Sequence, residues 1–298
     1  MKILVTGATG LVGSTLLPLL QSDGHETVVL TRKSPRSAQE RQWDPEATTL
    51  PPAVLDGIEV IVHLAGENIG EGRWTPEKKH RIRESRVHGT QLLARAAAER
   101  KGQVQAFISA SAIGLYGDRG AEELTEDSPA GNGYLPEVCI AWEAAADPAR
   151  QAGLRVVNLR LGVVMSRAGG ALAKMLLPFK LGAGGIIGSG RQYWSWLTVD
   201  EAAEMFRFAV NTRSLSGPVN AVSPQPVTNY EFTKALGAIL HRPTIFPLPA
   251  FIARIALGEM AQDLILASTR VLPTRLESTG YRFLHGDIET GLRAALKS

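Results

Sequence analysis

The sequence holds 298 residues, of which 44% are hydrophobic and 20% are charged, so it encodes a globular protein and not a disordered one. A net charge of +3, from 32 basic and 29 acidic residues, gives no strong field, and no apolar run reaches the roughly 18 residues of a membrane span. With one cysteine, Cys139, no internal disulfide can form, and we expect a cytoplasmic protein whose partner is neither a nucleic acid nor a membrane.

The first half of the chain alternates short apolar runs with helical patterns. Continuously apolar strands that alternate with helices are typical of a parallel sheet covered on both faces. The sequence therefore predicts an α/β fold with a Rossmann-type, doubly wound parallel sheet. We predict strands over residues 2–6, 26–31, 58–65, 105–111 and 154–161, and helices near residues 11–22, 76–100 and 137–151.

A glycine-rich turn, TGATGLVG over residues 6–13, follows the first strand and opens the first helix. Its glycines Gly7, Gly10 and Gly13 have the spacing G-x-x-G-x-x-G, and the strand–turn–helix context makes the pattern specific. A tight turn needs a positive φ, and a bare backbone lets a pyrophosphate approach the free N–H groups of the helix N-terminus. This turn predicts a dinucleotide site.

The second strand ends in Thr31-Arg32-Lys33, without the acidic residue that binds the ribose 2′-hydroxyl in NAD-specific sites. A guanidinium binds a 2′-phosphate through charge-assisted hydrogen bonds. We therefore predict NADP(H) as the cofactor, carried by Arg32. The alternative is that Arg32 is a solvated surface residue.

The third predicted strand ends in His63-Leu64-Ala65-Gly66, where small residues let a cofactor ribose lie across the sheet edge. We interpret His63 as a packed strand residue. A basic run, Lys78–Arg81 followed by Arg83 and Arg86, falls on the next predicted helix. It is either a solvated face or a surface of which one part faces a phosphate.

The pattern changes after about residue 165, where glycine and proline become dense and short helices follow near residues 200–211, 228–240 and 249–257. We predict two domains, an NADP-binding Rossmann domain over residues 1–165 and a smaller C-terminal substrate lobe over residues 166–298. A segment near 217–222 has a strand pattern and is expected to return to the main sheet.

Several motifs resemble the extended short-chain dehydrogenase/reductases, the NAD(P)-dependent epimerase/dehydratase family: TGATGLVG, HLAG, ISASAIGLYG, LRLGVVM and WSWLTVDEAA. Others, such as RWTPEKK, WEAAA and LLPFKLGAGGIIGSGRQYWSW, resemble an atypical branch of it. Members of that branch are labelled sugar-nucleotide-epimerase-like proteins and sometimes cell-division inhibitors. The resemblance covers the whole chain and implies a Rossmann domain with bound NADP(H) and a closing C-terminal lobe, but no established substrate.

The resemblance also implies a set of cofactor contacts. The pyrophosphate turn would be formed by Gly7, Thr9, Gly10, Leu11, Val12 and Gly13, and the 2′-phosphate would face Thr31 and Arg32. Leu64 and Ala65 would lie against the adenosine ribose. Arg86, in the ESR segment, would reach back to the cofactor from its helix, and Val164 would line the nicotinamide end.

The chemistry of the superfamily uses a Ser or Thr together with a Tyr-x-x-x-Lys pair, in which the lysine lowers the pKa of the tyrosine. Ser111, at the end of the fourth predicted strand, is the candidate for the first position. The alternative is that Ser111 is a small residue packed under the nicotinamide.

The Tyr–Lys pair is absent from its expected helix, where the best register places Cys139 and Glu143 instead. Cys139 either acts as a weak acid or nucleophile or is a small buried hydrophobe, and Glu143 is either a base or part of a structural salt bridge. Tyr116 and Tyr134 flank this helix and are expected in loops, from which either could supply a phenol. The catalytic candidates are thus Ser111, Glu143 and Tyr134.

Two functions remain open from the sequence. The first is an NADP(H)-dependent oxidoreductase or epimerase acting on a small polar, sugar-nucleotide-like substrate, which Ser111 and the ligand-like segment 182–196 favour. The second is a non-catalytic NADP(H)-binding regulator or redox sensor, which the missing Tyr–Lys pair favours. In the segment 182–196, Trp194 and Trp196 either face a ligand or form the core of the lobe.

Overall fold

The computed structural model describes residues 1–297, which form thirteen strands and eleven helices. The strands are β1 (Lys2–Thr6), β2 (Glu26–Thr31), β3 (Glu40–Gln42), β4 (Val60–His63), β5 (Ala106–Ala112), β6 (Glu123–Leu124), β7 (Arg155–Leu161), β8 (Val163–Ser166), β9 (Tyr193–Trp194), β10 (Trp196–Thr198), β11 (Gly217–Ala221), β12 (Val227–Thr228) and β13 (Arg270–Val271). The helices are α1 (Leu11–Ser22), α2 (Pro76–Glu99), α3 (Tyr134–Ala144), α4 (Asp147–Gln151), α5 (Gly170–Lys180), α6 (Val199–Asn211), α7 (Asn229–Leu240), α8 (Ala250–Leu257), α9 (Glu259–Ala261), α10 (Thr274–Ser278) and α11 (Ile288–Ala295).

Seven parallel strands form the main sheet in the order β11-β7-β5-β4-β1-β2-β3. The chain runs outward from β1 in one direction through β2 and β3, and in the other through β4, β5, β7 and β11. Ligands of such sheets bind at the carboxyl ends of the strands where the order reverses, which here is between β1 and β4. The α/β Rossmann-type fold predicted from the sequence is confirmed.

Helices cover both faces of the main sheet. On one face, α1 and α6 pack through residues such as Leu16, Leu20 and Phe206. On the other face, α2 and α4 pack through Leu92 and Ala149. Every one of these side chains is at most 4% exposed, so the two faces account for the continuous apolar pattern of the strands.

The C-terminal lobe has a core of its own, in which Trp194, Trp196, Phe232 and Leu292 are buried. Small two-stranded sheets, β8 with β10 and β9 with β12, connect it to the rest of the chain. Two elements after residue 165 lie on the main sheet instead, since α6 packs on its face and β11 pairs with β7 at its edge. The strand expected near residues 217–222 is therefore present.

Three local expectations differ from the structure. Residues 40–42, in β3, were not predicted as a strand, because Glu-Arg-Gln carries no apolar pattern and pairs only at the sheet edge. The helix expected over residues 137–151 is two helices, α3 and α4, and Pro148 lies in the first turn of the second, where its missing N–H is tolerated. Tyr134 is the first residue of α3 and does not lie in a loop.

No helix within residues 1–297 is long and apolar enough to span a bilayer.

Candidate cofactor and substrate site

The turn between β1 and α1 is shaped by two glycines that cannot be replaced. Gly7 has a φ of +67°, and a Cβ on it would lie 2.8 Å from the carbonyl carbon of Leu64. A Cβ on Gly13 would lie 2.2 Å from the carbonyl oxygen of Gly7. Real Cβ atoms do not approach so closely, so both glycines are required by the fold of the turn itself.

Gly10 has a different role, because its outer side is open. Its N–H donates to the carbonyl of Gly7 at 2.9 Å, and a Cβ on it would meet only that carbonyl, at 3.1 Å. As the residue that precedes α1 it offers no side-chain cap, and the first turn of α1 holds no acidic residue. The helix N-terminus thus keeps free N–H groups and a positive dipole end, which suit a phosphate. Thr9 and Gly10 are exposed there, and Leu11 and Val12 are half-buried.

The end of β4 is tied to the turn through Thr6. Its hydroxyl oxygen accepts hydrogen bonds from the backbone N–H groups of Leu64 and Ala65, both at 3.1 Å, and the hydroxyl is also hydrogen-bonded to Nδ1 of His63 at 2.7 Å. His63 is fully buried, as expected of a packed residue, and its Nε2 has no hydrogen-bond partner among residues 1–297. Burial, and then the charge of Arg86, lower the pKa of His63 to about 4, so it is neutral at neutral pH.

At the end of β2, Arg32 is exposed, and within residues 1–297 its guanidinium forms no hydrogen bond or ion pair. Thr31 beside it is half-buried, and its hydroxyl accepts a hydrogen bond from the backbone of Lys33 at 3.1 Å. An unpaired guanidinium next to a β2 carboxyl end is available for an anionic ligand.

The basic run on α2 is mostly neutralised by ion pairs. Lys78 Nζ lies 2.7 Å from Glu67 and Lys79 Nζ lies 2.7 Å from Glu259. Arg86 is the exception, because it donates only to the backbone carbonyls of Glu67 and Ile82 and has no carboxylate within 4.0 Å among residues 1–297. Its guanidinium lies against Gly66, which follows the carboxyl end of β4, and over the ring of Trp142.

The wall opposite β4 is formed by the segment that follows β7. Val164 is half-buried and pairs in β8 with Leu197 of β10. A Cβ on Gly170 would lie 3.2 Å from the carbonyl oxygen of Val164 and 3.6 Å from the side chain of Leu11. Val164 and the start of α1 therefore both lie beside Gly170.

Ser111 and Glu143 are in direct contact. The Ser111 hydroxyl donates to Oε1 of Glu143 at 2.7 Å, although the two residues lie on different elements, β5 and α3. Ser111 is 1% exposed, while the Glu143 side chain keeps 15% of its surface exposed. The sequence-predicted pair is thus brought together, with the carboxylate as its more accessible member.

Arg160 holds this pair in place, and sequence reasoning missed it. Its guanidinium donates to both oxygens of Glu143, at 2.8 and 2.9 Å, and to the hydroxyl of Tyr116 at 2.8 Å. Burial lowers the pKa of Arg160, but the hydrogen bonds and charge of Glu143 outweigh burial and raise it above its ordinary value. The available signal was an arginine inside the apolar strand β7, since a buried charge requires a partner.

The remaining candidates are not poised to exchange protons near neutral pH. Burial, and then the charge of Glu143, raise the pKa of the Cys139 thiol to about 12, which confirms the buried-hydrophobe alternative. Burial raises the pKa of Tyr134 to about 12, and its hydroxyl donates to the backbone carbonyl of Lys79 at 2.7 Å. Tyr116 is fully buried and donates to Asn220.

The aromatic residues of the segment 182–196 are structural. The indole N–H of Trp194 donates to the carbonyl of Ile265 at 3.1 Å, and that of Trp196 donates to the carbonyl of Gln225 at 2.9 Å. Both rings lie in the core of the C-terminal lobe, so the second of the two sequence alternatives holds for them.

A cavity of about 210 Å³ lies between the turn that follows β5, the start of α3 and the segment 262–269 of the C-terminal lobe. Gly114 and Leu135 form part of one wall, and Gln262 and Asp263 form part of the other. Another cavity, of about 480 Å³, lies at the opposite edge of the sheet, beside Val104 and Leu154 at the amino ends of β5 and β7. Since ligands bind at the carboxyl ends of parallel strands, the smaller cavity is the one placed for a substrate.

The described residues hold no group of three or more His, Cys, Asp or Glu side chains that could bind a metal ion.

Comparison with known proteins agrees with this geometry. Residues 3–221 match the NAD dependent epimerase/dehydratase family, and residues 248–295 match a domain of unknown function, DUF1731. An epimerase family protein of Mycobacterium bovis is 39% identical over 290 residues, which cover 97% of this chain and 96% of that protein.

Two solved structures resemble the whole chain. The human epimerase family protein SDR39U1 (isoform 2), crystallised with NADPH, superposes with a TM-score of 0.90 at 33% identity, over 100% of each chain. A nucleoside-diphosphate sugar epimerase from Corynebacterium glutamicum superposes with a TM-score of 0.82 at 38% identity, over 99% of this chain and 58% of the other.

Proposed function

The chain belongs to the NAD-dependent epimerase/dehydratase family, and from that premise we propose that it is an NADP(H)-dependent oxidoreductase acting on a small polar substrate. The observation that carries the proposal is the cavity of about 210 Å³ at the carboxyl end of β5, on the same sheet edge as the open glycine turn. Both features follow the carboxyl ends of parallel strands, which is where the ligands of such sheets bind.

The residues at the turn fit NADP(H). The open side of Gly10 and the uncapped start of α1 accept a pyrophosphate, and the unpaired guanidinium of Arg32 accepts a 2′-phosphate. Arg86, a half-buried cation without a carboxylate partner among residues 1–297, supplies a further positive charge at the carboxyl ends of the strands. The human relative that superposes over the full chain is crystallised with NADPH, which supports the same choice of cofactor. The proposed contact set is Gly7, Thr9, Gly10, Leu11, Val12, Gly13, Thr31, Arg32, Leu64, Ala65, Arg86 and Val164.

NADP(H), when bound, supplies a nicotinamide that accepts or donates a hydride. The chain must then move the accompanying proton, and Glu143 is the group that can accept it from a substrate hydroxyl. Arg160 stabilises the ionised carboxylate by two hydrogen bonds, and Ser111 orients its Oε1 by a third. Ser111 and Arg160 are positioning residues in this proposal, and Tyr134 does not take part because its hydroxyl is bonded to a backbone carbonyl.

The experiment follows the absorbance of the nicotinamide while the purified protein is incubated with NADP⁺ and a panel of small hydroxylated metabolites. For a substrate found in this way, Glu143→Gln should lower kcat at least about tenfold, or about 1.4 kcal/mol of transition-state stabilisation, at unchanged NADP⁺ affinity. Cys139→Ala is the matched control from the same helix and should retain most activity. A Cys139→Ala variant that binds NADP⁺ but is inactive would replace this proposal with a cysteine mechanism.

A second candidate function is a non-catalytic NADP(H)-binding sensor. One observation favours it: Arg160 pairs with both oxygens of Glu143, while burial raises the pKa of Cys139 and of Tyr134 to about 12. NADPH binding without turnover of any metabolite in the panel would support the sensor. In either case we propose action in the cytoplasm on or with a small molecule, with neither a nucleic acid nor a membrane as partner.

A further inference from the structure

The cavity beside β5 has rigid walls. Gly117 has a φ of +65°, and a Cβ on the neighbouring Gly131 would lie 2.3 Å from the carbonyl oxygen of Tyr116, so the two loops that flank the cavity are in close backbone contact. On the other side, the N–H of Ala267 donates to the carbonyl of Gln262, which closes a single π-helical turn over Gln262–Leu266. Such turns are rare and occur frequently at functional sites.

The lining of the cavity carries negative charge. Two carboxylates, Asp118 and Asp263, lie among its ten lining residues, and none of the ten is a lysine, arginine or histidine. Among the cations on neighbouring elements, Lys79 pairs with Glu259, and Arg254 donates twice to the side-chain oxygen of Gln262. A phosphate or diphosphate placed in this cavity would meet like charge and lose its hydration without a cationic partner.

Asp263 is the group that a ligand would satisfy. Within residues 1–297 its side chain forms no hydrogen bond or ion pair, whereas one oxygen of Asp118 already accepts from the backbone of Ser268 and Gly120. Asp263 is half-buried on the π-helical turn. Burial, and then the charge of Glu259, raise the pKa of Asp263, and the charge of Lys79 offsets only part of this rise.

The volume of the cavity also limits the size of the ligand that it can hold. The cavity measures about 210 Å³, below the roughly 300–1,000 Å³ of sites that enclose drug-sized ligands. A nucleotide sugar, with its base, ribose, diphosphate and second sugar ring, exceeds a cavity of this size, whereas a single sugar ring or an amino alcohol does not. Both charge and volume therefore point away from the substrates named for the sugar-nucleotide epimerase relative.

We propose that this cavity is the substrate site of the oxidoreductase and that it binds a small hydroxylated amine without phosphate, its ammonium group paired with Asp263. The proposal rests on the proposed function, because it assigns the substrate class of that same site. Hydroxyl groups of the substrate would be bound by the polar lining, which includes Asn132 and Thr269. An ammonium that pairs with a partly desolvated carboxylate forms charge-assisted hydrogen bonds.

The test is calorimetry on the full chain saturated with NADP⁺, using ethanolamine, serinol and glucosamine as amine probes and glucosamine 6-phosphate and UDP-glucose as phosphorylated probes. We expect at least one amine probe to bind, and both phosphorylated probes to bind at least about tenfold more weakly, since a hydrogen bond to a charged group is worth roughly 1.5–3 kcal/mol. Asp263→Asn should weaken the amine at least about tenfold by the same argument. Glu137→Gln, which changes an exposed carboxylate on α3, should leave amine binding unchanged.

The outcomes separate this inference from the proposed function. Absence of NADP⁺ binding overturns the proposed function and the inference with it. If NADP⁺ binds but no amine probe does, or if UDP-glucose binds as tightly as the amines, the inference alone fails. It also fails if Asp263→Asn, with a wild-type melting temperature and NADP⁺ affinity, binds the amine as tightly as the native protein.

Discussion

In the proposed cleft, the end that binds the cofactor is formed by backbone atoms, and the end that carries the catalytic candidates is formed by side chains. At the cofactor end, Gly7 and Gly13 are in close contact with neighbouring backbone atoms, and Gly10 leaves the N-terminus of α1 without a side-chain cap. The chemical end consists of side chains that satisfy one another, from Ser111 through Glu143 and Arg160.

The two ends therefore differ in the amino-acid substitutions that they tolerate. A backbone cradle depends on the absence of side chains, so it tolerates few substitutions and leaves a clear sequence pattern. A network of mutually bonded side chains depends on the presence of every partner. At the Tyr and Lys positions of the Tyr-x-x-x-Lys pair the chain holds Cys139 and Glu143, and Arg160 supplies a positive charge from strand β7.

The largest expected effect concerns the side-chain end. Arg160→Met should lower the free energy of unfolding by about 3–5 kcal/mol, because it leaves the carboxylate of Glu143 without its buried partner. Urea denaturation measures this change. Arg83→Met, which breaks an exposed pair with Glu84, should cost less than about 1 kcal/mol.

The double variant Arg160→Met/Glu143→Gln sharpens the same comparison. Removing both charges should recover a large part of the lost stability, because no ionised group is then left unpaired. If the double variant were as unstable as Arg160→Met alone, the Glu143–Arg160 pair would not be the cause of the loss.

At the backbone end, Gly10→Val should weaken NADPH binding by at least about a hundredfold, or about 2.7 kcal/mol, while the protein stays folded. The new side chain would occupy the open side of the turn, and within the described part of the chain the only close contact of its Cβ is the Gly7 carbonyl at 3.1 Å. Fluorescence titration with NADPH measures the affinity, and circular dichroism checks the fold.

Gly13→Ala and Gly286→Ala are the two controls for Gly10→Val, the first expected to disrupt the turn and the second expected to have no effect. A Cβ on Gly13 would lie 2.2 Å from the Gly7 carbonyl, so Gly13→Ala should unfold the turn as well as abolish binding, whereas a Cβ on Gly286 meets no atom within 4 Å. Unchanged NADPH affinity in Gly10→Val would show that the cofactor does not approach the turn.

The preference between cofactors is expected to depend on one side chain at the backbone end. Arg32→Ala should reduce the preference for NADPH over NADH by roughly 10- to 150-fold, since hydrogen bonds to a charged group contribute roughly 1.5–3 kcal/mol. Calorimetry with both cofactors measures it, and Arg36→Ala, also exposed, is the control. Equal affinities of the native protein for NADPH and NADH would contradict the assignment.

The smallest expected effect is the pH dependence of the bond that ties β4 to the turn. The pKa of His63 is lowered to about 4 in the folded protein, by burial first, against about 6.5 in an unfolded chain. Between these values the unfolded chain binds the proton and the folded chain does not, so stability falls as pH falls. The loss between pH 7 and pH 5 should be about 2 kcal/mol.

Urea denaturation at both pH values of native protein and of His63→Gln isolates this contribution, because the variant lacks the titrating ring. His80→Gln, on the exposed face of α2, should retain the native pH dependence. A native slope in His63→Gln would mean that other groups carry the acid sensitivity.

Local patterns in the sequence were sufficient for most of the sheet. The five strands predicted in the first half are present, and β4, β5 and β7 differ from the predicted ranges only at their ends. The turn at residues 6–13 was predictable because positive φ and bare backbone restrict the residue type, and that restriction acts within a few residues. β3 was missed because an edge strand of three polar residues has no periodicity to detect.

The sequence by itself determined the Rossmann-type sheet, the glycine turn and the absence of an acid after β2, since each depends on neighbours along the chain. Only the tertiary structure decided the chemical end of the cleft. Glu143 meets Ser111 across 32 residues and Arg160 across 17, and Asp263 reaches the cavity from the C-terminal lobe. Those partners are set by strand register and helix packing, in which β5 and β7 align Ser111 with Arg160. No local pattern encodes that alignment, because it results from the burial of both faces of the sheet.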